Sequence, residues 1–152
     1  MGRDATRDDF RWWTSIATRW MDGDPYGHVN NVVYYSWFDT AATSMMMERG
    51  VLGPDLPAIG LCVESACAFH APVSFPQRVD AGVRIGRMGD KSVRYEIGLF
   101  VEGRAEPAAT GHFVHVFVDR ATRRPVPIAP AHRDALRDLV VDDDDAAAAG
   151  PA

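Results

Sequence analysis

The run RWMDGDPYGHVNN (residues 19–31) separates two stretches of different hydrophobic period, and that change decides the fold. Its middle, from Asp22 to Gly27, concentrates Asp, Gly and Pro, the residues that initiate and tighten turns, so the chain must change direction there. Downstream, Val32, Tyr35, Phe38, Ala42, Met45 and Met46 recur at three- and four-residue steps, which predicts one long helix from Asn31 to about Arg49. Asn30 or Asn31 can cap its start and Gly50 can end it. Charge is nearly absent along its middle, so burial is expected around most of its circumference. Upstream, a strand is expected from about Phe10 to Trp20.

Beyond a Gly- and Pro-containing linker, residues 50–57, the period drops to two. Strands are expected over Ala58–Phe69, Arg78–Arg87, Ser92–Glu102 and Ala108–Asp119. Alternation is clearest in Val79, Ala81, Val83 and Ile85, and again in Val93, Tyr95, Ile97, Leu99 and Val101, as in a sheet packed on one face and wet on the other. Gly89-Asp90 and Glu102-Gly103 supply tight connections of the hairpin kind, so the sheet should be antiparallel. A short amphipathic helix is expected within Ile128–Val141, starting near Pro130. The class is therefore α+β, an antiparallel five-stranded sheet wrapped around one long central helix. A lone sheet of this kind leaves edges unpaired, and a homodimer at least is expected to cover them. One domain is expected over residues 10–141, after a flexible lead-in (1–9) and before a disordered tail (142–152) of like charges and small residues.

The bulk properties narrow the partners. A formal charge of −5 over 152 residues argues against a phosphate-neutralising surface, so nucleic acid is not an expected partner. No apolar run approaches the length of a membrane span, and the start MGRDATRDDFRWW lacks the apolar core of a secretory signal, which makes a cytoplasmic location the expectation. Cys62 and Cys67 have neither zinc-knuckle nor redox spacing and read as core thiols. His70, His112 and His115 likewise show no metal-site spacing, so no metal is expected.

The chemistry is concentrated in the turn. Asp24 leads into the N-terminus of the long helix, where unpaired N–H groups and the positive end of the dipole polarise an incoming carbonyl. A carboxylate beside that electrophile can attack it or take a proton from an attacking water, with the amides stabilising the oxyanion in either route. Asp and Asn before a helix also serve as plain turn and cap residues, and spacing does not rank Asp22 against Asp24. His28 reads as a base, a hydrogen-bond donor or a surface imidazole.

GDPYGHVNNVVYYSWFDTA (residues 23–41), together with FHAPVSFPQRVDAGVRIGRMGDKSVRYEIGLF (residues 69–100), resembles the 4-hydroxybenzoyl-CoA thioesterase and related acyl-CoA thioesterase branch of the hotdog superfamily, over roughly residues 12–130. The resemblance implies a hotdog fold and hydrolysis of an acyl-CoA to free acid and CoA, with coenzyme A as part of the substrate and no separate cofactor. It implies Asp24 as the catalytic carboxylate, the backbone amide of Asn31 as the group that polarises the carbonyl, and His28 as support. Tyr26, Gly27, Tyr34, Tyr35 and Phe38 become candidates for substrate contact, with Trp20 a further aromatic beside them. Lys91 matches a phosphate-contacting lysine in the hairpin between the third and fourth strands, with Ser92 next to it, although Gly89 and Asp90 stand where that enzyme has basic residues. The implied assembly is a homodimer or a dimer of dimers. Two other readings are an enoyl-CoA hydratase or dehydratase of the same fold, whose usual D-x-N-P-x-H arrangement His28 matches poorly, and a non-catalytic acyl-thioester binding module. Glu64, in an apolar stretch, reads as exposed or paired.

Overall fold

A computed structural model describes residues 1–141; the expected acidic tail lies outside them. Five strands, β1 (Trp12–Ala17), β2 (Ala58–Phe69), β3 (Arg78–Met88), β4 (Ser92–Val101) and β5 (Ala109–Asp119), form one antiparallel sheet in the order β1-β3-β4-β5-β2. Helix α1 (Asn31–Glu48) connects β1 to β2 at the opposite edge and lies on one face of the sheet. A short helix, α2 (Pro130–Leu136), follows β5. No helix among the described residues is long and apolar enough to cross a membrane.

Period-two alternation sends Val79, Ala81, Val83 and Ile85 of β3 and Val93, Tyr95, Ile97 and Leu99 of β4 to the inner face, all fully buried. Onto them α1 lays Tyr34, Trp37, Phe38, Ala41, Ala42, Met45 and Met46. Asn30 caps the helix, its Oδ1 accepting from the Val32 amide at 3.1 Å.

Three expectations are corrected. The first strand is shorter than Phe10–Trp20, because its partner runs out: Ala17 pairs with Arg78, the first residue of β3, and beyond it Arg19 enters a 3-10 turn. The long helix is not buried around most of its circumference. Only the stripe facing the sheet is, while Val32 (66% exposed) and Met47 face outward and Tyr35, at the margin of the stripe, remains partly exposed. Cys62 is exposed rather than a core thiol, since edge strand β2 has no neighbour on one side and a bulge between Cys62 and Glu64 turns this stretch outward. Cys67 is half-buried, and burial pushes its thiol up to about 11. Glu64 is exposed and paired, accepting from His112 Nε2 at 2.8 Å.

The outer face of the sheet is not uniformly wet. Residues 1–10 fold across it, burying Ala5 and Phe10 against Phe100, with Arg7 stacked between Trp13 and Phe100 and paired to Asp80 at 2.9 Å. Phe10 occupies space that only Gly82 and Gly98 leave open, because a Cβ at either would strike its ring. Beside it a charged ladder crosses the strands, Arg84 Nε and Arg94 Nε donating to Glu96 at 2.7 and 3.2 Å. Burial pushes the Glu96 carboxyl up, but these two guanidiniums more than offset that and hold it below the usual carboxylate range.

His115 on β5 is enclosed between sheet and helix. Its ring meets Tyr95 edge-on at 5.3 Å and stacks on Phe113 at 6.0 Å. Its Nδ1 has no partner among the described residues. Burial holds its pKa below the ordinary imidazole value, with the Asp39 carboxylate partly opposing. The unfolded chain therefore takes up the proton first, near its ordinary pKa of about 6.5, and stability is complete above that pH and declines below it. Thermal unfolding should occur at lower temperature at about pH 5.5 than at about pH 7.5, and His115→Gln should shrink that difference. An undiminished difference in the variant would assign the effect elsewhere.

Candidate active site

The turn before α1 is built by its own carboxylates, which the structure separates into two roles. Asp22 is 1% exposed, and its carboxylate accepts from the Arg19 amide at 2.7 Å and from Arg19 Nε and Nη2 at 2.9 and 2.7 Å. Both of its oxygens are committed to holding the chain. Asp24 is half-buried, and its Oδ1 accepts from the Tyr26 amide at 2.8 Å and, more weakly, from the His28 amide at 3.4 Å. Its Oδ2 bonds nothing among the described residues. Gly27 closes the turn at φ +83°, a left-handed conformation that favours glycine. The β2–β3 connection clamps it from outside: Val29 N donates to Val73 O at 2.8 Å and Ser74 Oγ to Gly27 O at 3.0 Å.

Asp24 and His28 line a cavity of about 410 Å³ together with Val29, Asn31 and Tyr34, and its far wall is Phe69, His70, Ala71 and Pro72 from the end of β2. At the helix start, Val32 N is taken by the Asn30 side chain and Val33 N by Asn30 O, whereas Asn31 N has no acceptor among the described residues. The cavity is therefore lined by a residue with an uncommitted carboxylate oxygen and one with an uncommitted amide N–H, among the described residues, at the positive end of an 18-residue helix, a pairing suited to acyl transfer. Tyr34 and Phe69 meet edge-on at 5.0 Å in its wall. Burial raises the Tyr34 phenol above its ordinary value, partly opposed by a hydrogen bond at the Val73 backbone. A second hollow of about 250 Å³ opens on the other side of the Asp24 turn, lined by Trp20, Gly23, Asp24, Gly27, His28 and Phe75.

Other candidates fall elsewhere. Tyr26 is 84% exposed and lines neither hollow, and Gly27 lines only the second. Tyr35 points to the outer side of α1 and stacks with Phe113 at 6.5 Å, while Phe38 is fully buried core. Lys91 and Ser92 sit at the far end of the sheet from this chain's cavity: Ser92 begins β4 opposite Val116, whereas the cavity adjoins Leu99 and Ala109. Seven residues of strand, about 23 Å at about 3.3 Å each, lie between. Ser92 instead borders a polar hollow with Glu64, Arg87, Arg94 and Val114. Val29 and the FHAP string, Phe69, His70, Ala71 and Pro72, line the cavity without any local sequence signal that places them there. Among the described residues, no group of three or more His, Cys, Asp or Glu side chains is placed to hold a metal ion.

A five-stranded antiparallel sheet carrying a long helix is the hotdog architecture, and the comparisons with known proteins identify it here as that of a thioester hydrolase. The chain belongs to the thioesterase-like superfamily, whose family model matches residues 18–136. Among solved structures it is similar to the PA5185 protein of Pseudomonas aeruginosa strain PAO1, at 49% identity, covering 90% of this chain and 96% of that one with a TM-score of 0.85. It is also similar to the BH1999 gentisyl-coenzyme A thioesterase, at 28% identity over 82% of this chain and 99% of that one, TM-score 0.71. Among curated proteins it is 21% identical to the YsmA protein of Bacillus subtilis (strain 168), covering 86% of this chain and 88% of that protein.

Proposed function

We propose that the protein hydrolyses a compact acyl-CoA, aryl groups first, with Asp24 as the reacting carboxylate and the Asn31 amide polarising the thioester carbonyl. The observation that carries this reading is the free Asp24 Oδ2 in the same cavity as the free Asn31 N–H. As a nucleophile, Asp24 bonds to the carbonyl carbon and expels the CoA thiolate, leaving a mixed anhydride for water to open. As a base, it takes the proton from water while the water oxygen bonds to that carbon; the tetrahedral intermediate then collapses to the free acid, expelling the CoA thiolate, which takes up that proton. Both routes place negative charge on the carbonyl oxygen beside the amide. The aromatic walls, Tyr34 and Phe69, support a flat acyl group over a long flexible chain. The gentisyl-CoA enzyme, a relative at 28% identity, acts on an aryl thioester.

The working unit in this reading is a homodimer. Strand β2 is a 12-residue edge with Leu61 and Val63 exposed, the kind of edge that pairs with a second copy. Antiparallel pairing of two β2 edges carries one copy's Lys91–Ser92 hairpin to the end of the sheet where the other copy's Asp24 lies. That supplies the CoA phosphates with a cation this chain cannot bring to its own site.

Thiol release should be measured from acetyl-, hexanoyl-, palmitoyl-, benzoyl- and phenylacetyl-CoA. The expected order has benzoyl or phenylacetyl fastest and palmitoyl slowest. Turnover of none of the five would sink the hydrolase reading for acyl-CoA, and palmitoyl in first place would sink the compact acyl group.

A further inference from the structure

The far wall of the cavity contains an imidazole whose protonation is set by the fold. His70 follows the last residue of β2, with its amide donating to Ala108 O at 2.8 Å. Its Nε2 lies 2.8 Å from Thr110 Oγ1. Thr110 is 1% exposed, and among the described residues its hydroxyl has no other partner. A buried hydroxyl proton needs an acceptor, and here the one within reach is the His70 Nε2 lone pair. Donation from Thr110 leaves Nε2 unprotonated, so in the neutral ring the proton must sit on Nδ1. Nδ1 itself bonds nothing among the described residues, and His70 lines the same cavity as Asp24 and Asn31. Burial, with the Arg3 guanidinium adding to it, holds the His70 pKa below the ordinary value, which keeps the ring neutral near pH 7.

Resting on the hydrolase reading above, we propose that His70 is a catalytic residue: its Nδ1–H donates the second hydrogen bond to the thioester carbonyl oxygen, completing with the Asn31 amide a two-donor oxyanion site. A neutral imidazole N–H suits this task, because it stabilises developing charge without surrendering its proton. No proton moves through His70; Asp24 and water carry the bond changes. Thr110 is a positioning residue that acts through the ring.

The test joins nitrogen-15 NMR of the imidazoles to kinetics. In the wild-type protein His70, assigned by the signal missing in His70→Gln, should show a protonated-type Nδ1 and an unprotonated-type Nε2. Thr110→Val should release the ring toward the Nε2–H form. His70→Ala should lower kcat by about a hundredfold with KM changed only a few-fold, the scale of one lost oxyanion donor. Thr110→Val should lower kcat by about tenfold, a part of that loss. An Nε2–H tautomer in the wild type overturns the proposal, and because that readout needs only the conservative His70→Gln variant to fold for its assignment, it decides even where His70→Ala does not fold. Full activity in His70→Ala alongside an inactive Asp24→Asn overturns the role of His70 alone. Full activity in both variants overturns the Asp24 reading and this one with it.

Discussion

Asp24→Asn should lose at least about a hundredfold in kcat on the best acyl-CoA, the scale of a missing general base or nucleophile, while unfolding at nearly the wild-type temperature. The substitution is nearly isosteric, and its amide oxygen can still accept from the Tyr26 and His28 amides that Oδ1 now holds at 2.8 and 3.4 Å. What it removes is the charge and basicity of the unbonded oxygen in the cavity. Asp22→Asn should behave in the opposite way. Its carboxylate binds Arg19 through three contacts and is 1% exposed, so the variant should lower the unfolding temperature and disturb activity only through the turn. A single turnover in oxygen-18 water then tests the nucleophilic route: label in Asp24 identifies an anhydride that water opens at the Asp24 carboxyl carbon. An active Asp24→Asn with an inactive, well-folded Asp22→Asn would reverse the assignment.

Gly111→Ala should be the most damaging of the single-methyl changes, costing about 3 kcal/mol, at the upper end for overpacking. A Cβ at Gly111 would land on the Ala66 carbonyl oxygen and on the Phe38 ring. Neither can yield: Ala66 is held in the β2–β5 pairing, and Phe38 is fully buried against Phe113 at 6.1 Å. For a chain of this size the loss corresponds to about 6–12 °C in Tm. Activity should fall with it, since the pairing that must open positions Phe69 opposite Ala109 and Thr110 beside His70. Gly53→Ala is the control, because its added methyl meets only Leu56 carbons at 3.8 Å or more. A Tm for Gly111→Ala within about 2 °C of wild type would show that the strands can give way there, contrary to the usual cost of overpacking.

The elements with a clear period were legible in the sequence. Val79 to Ile85 and Val93 to Leu99 alternate because one face of their strands packs on α1, and the structure places those residues as expected. Features set by distant chain were not legible. Asp22 and Asp24 are two residues apart in one turn, and only the position of Arg19 and the cavity tells them apart. His70 reaches the site because β2 ends where α1 begins, a juxtaposition no local pattern encodes. The apolar composition of α1 suggests burial all round, but its outer side, with Val32 and Met47, stays exposed among the described residues. Lys91 was placed by resemblance, and within one chain the length of β4 keeps it from Asp24.

The seating of Phe10 against Gly82 and Gly98 ties three positions far apart in the sequence into one steric unit. Across relatives that keep this covering segment, these positions cannot drift independently: an aromatic ring at the first demands hydrogen as the side chain at the other two. A lineage that acquires alanine at either glycine must first shrink the ring or let the segment lift away, which would expose Phe100 and free Arg7 from its stack. A swap of the N-terminal ten residues between relatives should therefore succeed only when the two glycines travel with the segment.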